Sequence, residues 1–177
     1  MSVRSTFHPN GDGTFTISRE WLRENLAYEP LTGEFRWLRR QTNALPVDAI
    51  AGGVSVRGYV CIQIGGRKYK AHALAWFMTH GEWPALLDHI NGDTADNRLS
   101  NLRPATVRQN QFNAKRRVDN KSGFKGVSFH RATGKWAATI STGYGRKHLG
   151  LHLTPADAYA AYCAAAETYH GEFARVA

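Results

Sequence analysis

The chain has 177 residues, 42% of them hydrophobic, and its 8 Phe, 7 Tyr and 5 Trp are enough for one ordinary domain or two small ones, which excludes a disordered tail. Its 23 Lys and Arg against 14 Asp and Glu leave a net charge of +9 and a pI near 9.9, which points to a polyanionic partner, nucleic acid ahead of a membrane surface. No apolar stretch approaches the length of a membrane span, and Cys61 and Cys163 lie too far apart in sequence for a metal-ligand spacing or a disulfide framework.

The opening MSVRSTFHPNGDG carries no apolar segment after its charge, so no secretory leader is expected. Ser18 caps a predicted helix, REWLRENLAY, with Trp21, Leu22 and Leu26 as its buried positions. A turn over Pro30 to Gly33 leads to EFRWLRR, where Phe35 and Trp37 alternate with polar residues as in a strand. Residues 41–57 read as loop. GYVCIQI and RKYKA flank Gly65-Gly66, a hairpin signal. AHALAWFMTH is a predicted helix closed by Gly81. LLDHI reads as a strand, NGDTADNRLS as a loop and NLRPAT as a returning strand that Asn101 begins. Thr106 and Gln109 form a capping box for a helix running through RQNQFNAKRR. The polar stretch 114–123 is the linker candidate. Three strands follow, FKGVSFHR, GKWAATIS and RKHLGLHL. The last element is a helix, TPADAYAAYCAAAETYHG, with Thr154 as cap, Pro155 at its first position, Asp157 completing a box and Gly171 ending it. Cys61, in an alternating run, and Cys163, in the Ala-rich helix, are expected as buried thiols in a reducing cytosol.

The chemistry concentrates at Asp88-His89. An imidazole near its ordinary pKa can take a proton from water, and a divalent cation can polarise a phosphate and stabilise the departing oxygen. Neighbours in a strand point to opposite faces, so Asp88 is expected to hold the metal while His89 works on water. Asn110, in the first turn of the helix after the returning strand, is expected as the second metal ligand. Oxygen donors completed by water and phosphate suit one Mg2+ or Mn2+. Asn101 is expected to orient His89, by accepting from the imidazole or by bracing the loop backbone. Asn91 and Asn97 read as loop-formers.

These residues, Asp88-His89, then Asn101-Leu102, then Asn110 on a helix, resemble the motif of HNH nucleases of the ββα-metal fold, phage-type homing endonucleases in particular. The resemblance covers roughly residues 58–117, together with the upstream YEPLTGEF. It implies metal-binding roles for Asp88 and Asn110, a general-base role for His89, an orienting role for Asn101, and products with 5′-phosphate and 3′-hydroxyl ends. His72 resembles a recurrent His of that family and either contacts phosphate or is a buried, hydrogen-bonded residue. Arg108, Asn113, Lys115, Arg116 and Arg117, on or just after the helix of Asn110, are expected to reach the DNA backbone. No Cys pairs flank the motif, so no scaffolding zinc is expected.

The C-terminal segment has no acid–base cluster. It carries Lys125, His130, Arg131, Lys135, Trp136, Arg146 and Lys147 on or beside its strands, as suits a sheet that enters a DNA groove. FKGVSFHRATGKWAATI and HLGLHLTPADAYAAYCAAAETYHG are similar to the ethylene-response-factor (Apetala-two) DNA-binding domain, which also occurs in phage HNH nucleases. That resemblance implies groove-facing roles for Lys125, Ser128, His130, Lys135, Trp136, Arg146 and His148. Ser128 stands where plant members usually carry Arg, and His148 where they usually carry Trp, which favours phosphate-led contact over plant-type base reading.

The sequence therefore predicts an α+β protein: an N-terminal α+β extension (1–57), an HNH core (58–117), a linker (118–121) and a small three-stranded antiparallel sheet packed on one helix (122–177). The expected activity is metal-dependent nicking or cutting of double-stranded DNA, in the cytoplasm of a bacterial or phage-infected host cell, with no membrane and no protein partner. The alternative is a DNA-binding regulator whose HNH part is scaffold only.

Overall fold

The structure, a computed structural model, describes residues 8–9, 15–42 and 45–176. Most of the opening segment read for a leader, and two residues of the 41–57 stretch, lie outside these. The chain is α+β with antiparallel sheets, and it divides into two compact units, Met1–Pro104 and Ala105–Ala177. No helix among the described residues is long and apolar enough to cross a membrane.

In the first unit, β1 (His8–Pro9) pairs with β2 (Phe15–Thr16). Helix α1 (Arg19–Asn25) starts where the Ser18 hydroxyl accepts from the Trp21 N–H at 3.1 Å. The helix was expected to run on to Tyr28. Instead Leu26–Tyr28 forms β3, paired with β4 (Phe35–Trp37), because Leu26, Phe35 and Trp37 bury one face of the hairpin together. Leu22 is buried as expected, whereas Trp21 is only half-buried. Next come β5 (Gly53–Val54), β6 (Val60–Ile64) and β7 (Arg67–Lys70), with β6 in the middle of the sheet. Ile62 and Ile64 point into the core, and Cys61, one residue out of phase, is half-buried rather than buried.

Helix α2 (Ala71–His80) lays Ala71, Leu74, Ala75 and Met78 on this core. Full burial of Leu74 stabilises the fold by roughly 1.5–3 kcal/mol. Gly81, at φ 84°, ends the helix as expected. The Arg19 guanidinium also donates to the Met78 and Thr79 carbonyls, at 2.9 and 2.7 Å, so α1 caps α2 from outside. Strands β8 (Leu87–His89) and β9 (Leu102–Pro104) complete the unit. Asn101 does not begin β9; it ends a one-turn 3-10 helix, Leu99–Asn101.

In the second unit, α3 (Val107–Phe112) opens with the full capping box, Thr106 N–H to Gln109 Oε1 at 2.7 Å and Gln109 N–H to Thr106 Oγ1 at 3.2 Å. It was expected to run through Arg117 but stops at Phe112. The Lys125 ammonium donates to the Phe112 and Ala114 carbonyls, at 2.6 and 2.7 Å, and satisfies the end of the helix. Strands β10 (Val127–His130), β11 (Lys135–Thr142) and β12 (Gly145–His152) form one sheet in that order. Helix α4 (Pro155–His170) packs across one face, with Ala158 on Val127 and Ala138, and Tyr162 and Ala166 on Ile140. Thr154 caps it, accepting from the Asp157 N–H at 3.1 Å. Gly126, at φ 75°, has no room for a side chain, since a Cβ there would run into the Tyr162 ring. Cys163 on α4 is half-buried, a second departure from the expected buried thiol.

Candidate active site

Asp88 and His89 are both buried, and β8 sends them to opposite sides. His89 meets His72 from α2, the ring centroids 4.9 Å apart and the planes nearly perpendicular at 82°. Tyr59 closes the group, 5.5 Å from His72 and 6.1 Å from His89, with the Lys70 ammonium 4.5 Å from its ring centre. Burial pushes the His72 pKa down to about 3, helped by the neighbouring His89 and Lys70. Burial also lowers His89, against the opposing pull of the Asn97 side chain beside it and of the Asp88, Asp93 and Asp96 carboxylates. Both imidazoles are therefore neutral at neutral pH, the form in which His89 can accept a proton. His72 Nδ1 is buried with no hydrogen-bond partner among the described residues.

The segment after His89 is a loop held by its own amides. Asn101 Oδ1 accepts from the Asn91 N–H at 3.0 Å, and its Nδ2 donates to the Asp96 carbonyl at 2.8 Å. The Ile90 N–H donates to the Asn101 carbonyl at 2.9 Å, and the Gly92 N–H to that of His89 at 2.7 Å. Asn91 bonds Asp96 Oδ2 at 2.8 Å. The Arg98 guanidinium grips the same carboxylate and holds its pKa down to about 2. The β3–β4 turn braces the loop from outside. Tyr28 donates to the Asn97 carbonyl at 2.8 Å, the Leu99 N–H donates to that of Pro30 at 3.2 Å, and a side chain on Gly33 would collide with the backbone of Asn97 and Arg98.

On the other face of β8, Asp88 Oδ2 accepts from Arg103 Nε at 3.0 Å and from Nη2 at 2.8 Å. Asp88 is buried and Arg103 half-buried, and the two sit directly across the β8–β9 ladder.

Over 112 residues the chain is 32% identical to "Protein 3.8" of Escherichia phage T7, a span of 60% of this chain and 92% of that relative. Residues 69–112 match the HNH endonuclease family. The chain belongs to the HNH endonuclease family. The matched HNH domain takes in Asp88, His89, Asn101 and Asn110, and also His72 and Arg103. No solved structure matches the chain.

HNH nucleases typically use a divalent metal. Among the described residues no three His, Cys, Asp or Glu side chains gather around one point, which rules out a closed cage of those ligands there. One carboxylate helped by an amide oxygen still fits a hard ion that keeps several waters. Asp88 is such a carboxylate, with one oxygen already engaged by Arg103. Asn110 lies half-buried on α3, in the second unit.

The second unit carries eleven Lys and Arg against four Asp and Glu, +7 of the HNH protein's +9. Register sorts its candidate contacts. Val127 and Ala138 face α4, so Ser128, His130 and Lys135 lie on the open face, and all three are exposed. Ile140, two residues on from Ala138, also faces α4, and a register shift after Ala138 sets Lys147 opposite it, where Lys147 bonds the Tyr169 hydroxyl at 2.6 Å. Arg146 and His148 therefore share the open face. Trp136 does not. It packs on the helix side with Val127 and Ala138 and meets Phe129 edge-on at 5.1 Å.

Lys125 caps α3 instead of projecting from the sheet, and burial lowers its pKa to about 8. Asn113 is buried as the C-cap of α3. Arg108 is exposed, its guanidinium beside Gly143. Lys115, Arg116 and Arg117 lie on the loop after α3 and help line a groove of about 950 Å3 that also reaches Ser128 and Arg146. Arg117 is paired there with Asp119 at 2.8 Å.

Sequence reasoning overlooked Arg103 and left His72 undecided. The signal for Arg103 was present: antiparallel strands closing on the 90–101 loop set it opposite Asp88, and opposite charges pair across a ladder.

Proposed function

We propose that the chain is a metal-dependent DNA endonuclease that nicks or cuts double-stranded DNA in the cytoplasm of a phage-infected host. The observation that carries this reading is the neutral, buried His89 on a loop that Asn101 and the β3–β4 turn hold in place. His89 takes the proton of the attacking water at its imidazole. Asn101 keeps that imidazole oriented through the loop, and Asp88 would hold the metal through its carboxylate. Mg2+ or Mn2+, when bound, polarises the phosphate and stabilises the departing oxygen. The products carry 5′-phosphate and 3′-hydroxyl ends.

In this proposal residues 58–117 form the nuclease core, 118–121 a linker, and 122–177 a DNA-binding domain of the ethylene-response-factor kind. Supporting the last part are the three-stranded sheet on one helix, the exposed Ser128, His130, Lys135, Arg146 and His148 on its open face, and the concentration of charge in that unit. The second reading, a DNA-binding regulator on an inactive HNH scaffold, is favoured by the hold of Arg103 on Asp88. Supercoiled plasmid separates the two. We expect magnesium-dependent nicking by the wild type, a loss of ~10²–10⁴-fold in His89→Ala, and DNA binding retained in that variant. Plasmid left intact by wild type at every magnesium concentration would establish the regulator.

A further inference from the structure

We propose that Arg103 sets which cation this site prefers, because its two donors on one oxygen of Asp88 confine the carboxylate to one-oxygen coordination. The inference rests on the reading of Asp88 as a metal ligand. Asp88 is 3% exposed, and Arg103 reaches the same oxygen, Oδ2, with Nε at 3.0 Å and Nη2 at 2.8 Å. The two residues are direct partners in the β8–β9 ladder, so the backbone fixes both ends of the contact. A guanidinium is a rigid planar fork, and a carboxylate oxygen that accepts two of its N–H groups is turned away from any ion. An approaching ion then has at most one oxygen of Asp88.

That restriction discriminates between ions. Magnesium and manganese accept octahedral geometry with single oxygens and retained waters. Calcium takes roughly six to eight oxygens and gains from carboxylates that give both.

The test is Mn2+ binding to the full chain without DNA, followed by the EPR signal of free Mn2+, alone and with Ca2+ as competitor. Arg103→Met removes the fork and the charge; Arg103→Lys keeps the charge and one donor group; Arg36→Met, at an exposed ion pair, controls for net charge. In Arg103→Met, competition by Ca2+ relative to Mn2+ should improve at least about fivefold as the second oxygen becomes available. Arg103→Lys should move the same way by less, and Arg36→Met should match wild type. Should Arg103→Met fail to fold, the Arg103→Lys ratio decides. A Ca2+/Mn2+ ratio unchanged in every folded Arg103 variant overturns the proposal alone. Wild type that binds no Mn2+, or Asp88→Asn that binds it as well as wild type, overturns the reading of Asp88 as ligand and this proposal with it.

Discussion

Acid should weaken the first unit through His72, by an amount that follows from its surroundings. Its folded pKa is about 3, against an ordinary value of 6.5. The unfolded chain therefore takes up the proton first. Stability is full above pH 6.5 and is lost progressively as pH falls from there toward about 3. Between pH 7 and pH 5, protonation of this one imidazole in the unfolded state alone costs about 2 kcal/mol of stability. His72→Asn removes the titration and keeps a neutral polar side chain. His89 is lowered in the same direction and stays in both proteins, so the difference between them isolates His72. Urea unfolding at pH 7, 6 and 5, followed by tryptophan fluorescence, measures it, and four of the five tryptophans (Trp21, Trp37, Trp76 and Trp83) report on this unit. Wild type should lose about 2 kcal/mol more than His72→Asn over that range. Parallel pH profiles would refute the argument, because they would mean that His72 takes its proton as easily folded as unfolded.

Cleavage should also have an acid limb. Because burial lowers His89, the rate should hold as pH falls through 6.5 and drop only below it, and a midpoint above 6.5 in kcat/KM would contradict the assignment. Asn101→Ala breaks the bonds to the Asn91 N–H and the Asp96 carbonyl, so a loss of about 1–3 kcal/mol in urea unfolding is expected, with hydrogen exchange rising first over the 90–101 loop. Lys135→Gln with Arg146→Gln should flatten the salt dependence of duplex binding, the slope of log K against log salt changing by about 0.9 for each phosphate that the protein no longer neutralises. An anisotropy titration with an unchanged slope would place DNA elsewhere than on the open sheet face.

Elements with local punctuation were legible in the sequence. Gly65-Gly66, the Thr106–Gln109 box, Thr154-Pro155 and Gly81 each act within a few residues, and the structure places a turn, two helix starts and a helix end at them. What failed was decided at a distance. Leu26–Tyr28 carries helical spacing, yet pairing with Phe35–Trp37 outweighs it. α3 is cut short by a lysine thirteen residues past its last residue. At the candidate site, Asp88, His89 and Asn101 stood out because their residue types and spacing carry chemistry. The meeting of His72 with His89 could not be read, because it depends on how α2 lies against β8. The YEPLTGEF stretch drew notice as a pattern, and its physical role emerges only where Tyr28 and Gly33 meet the loop.

The amide-rich loop also bears on how the protein ages. Asn91-Gly92 is the kind of dipeptide most prone to succinimide formation and deamidation, since glycine leaves its amide nitrogen unhindered to attack the asparagine carbonyl carbon. Here that nitrogen donates to the His89 carbonyl at 2.7 Å. The Asn91 side chain is held away at both ends, Nδ2 on Asp96 and Oδ1 under the Asp93 N–H, each at 2.8 Å. The bonds that fix the turn thus occupy the attacking N–H and restrain the side-chain amide, and the folded chain should deamidate at Asn91 more slowly than the unfolded one.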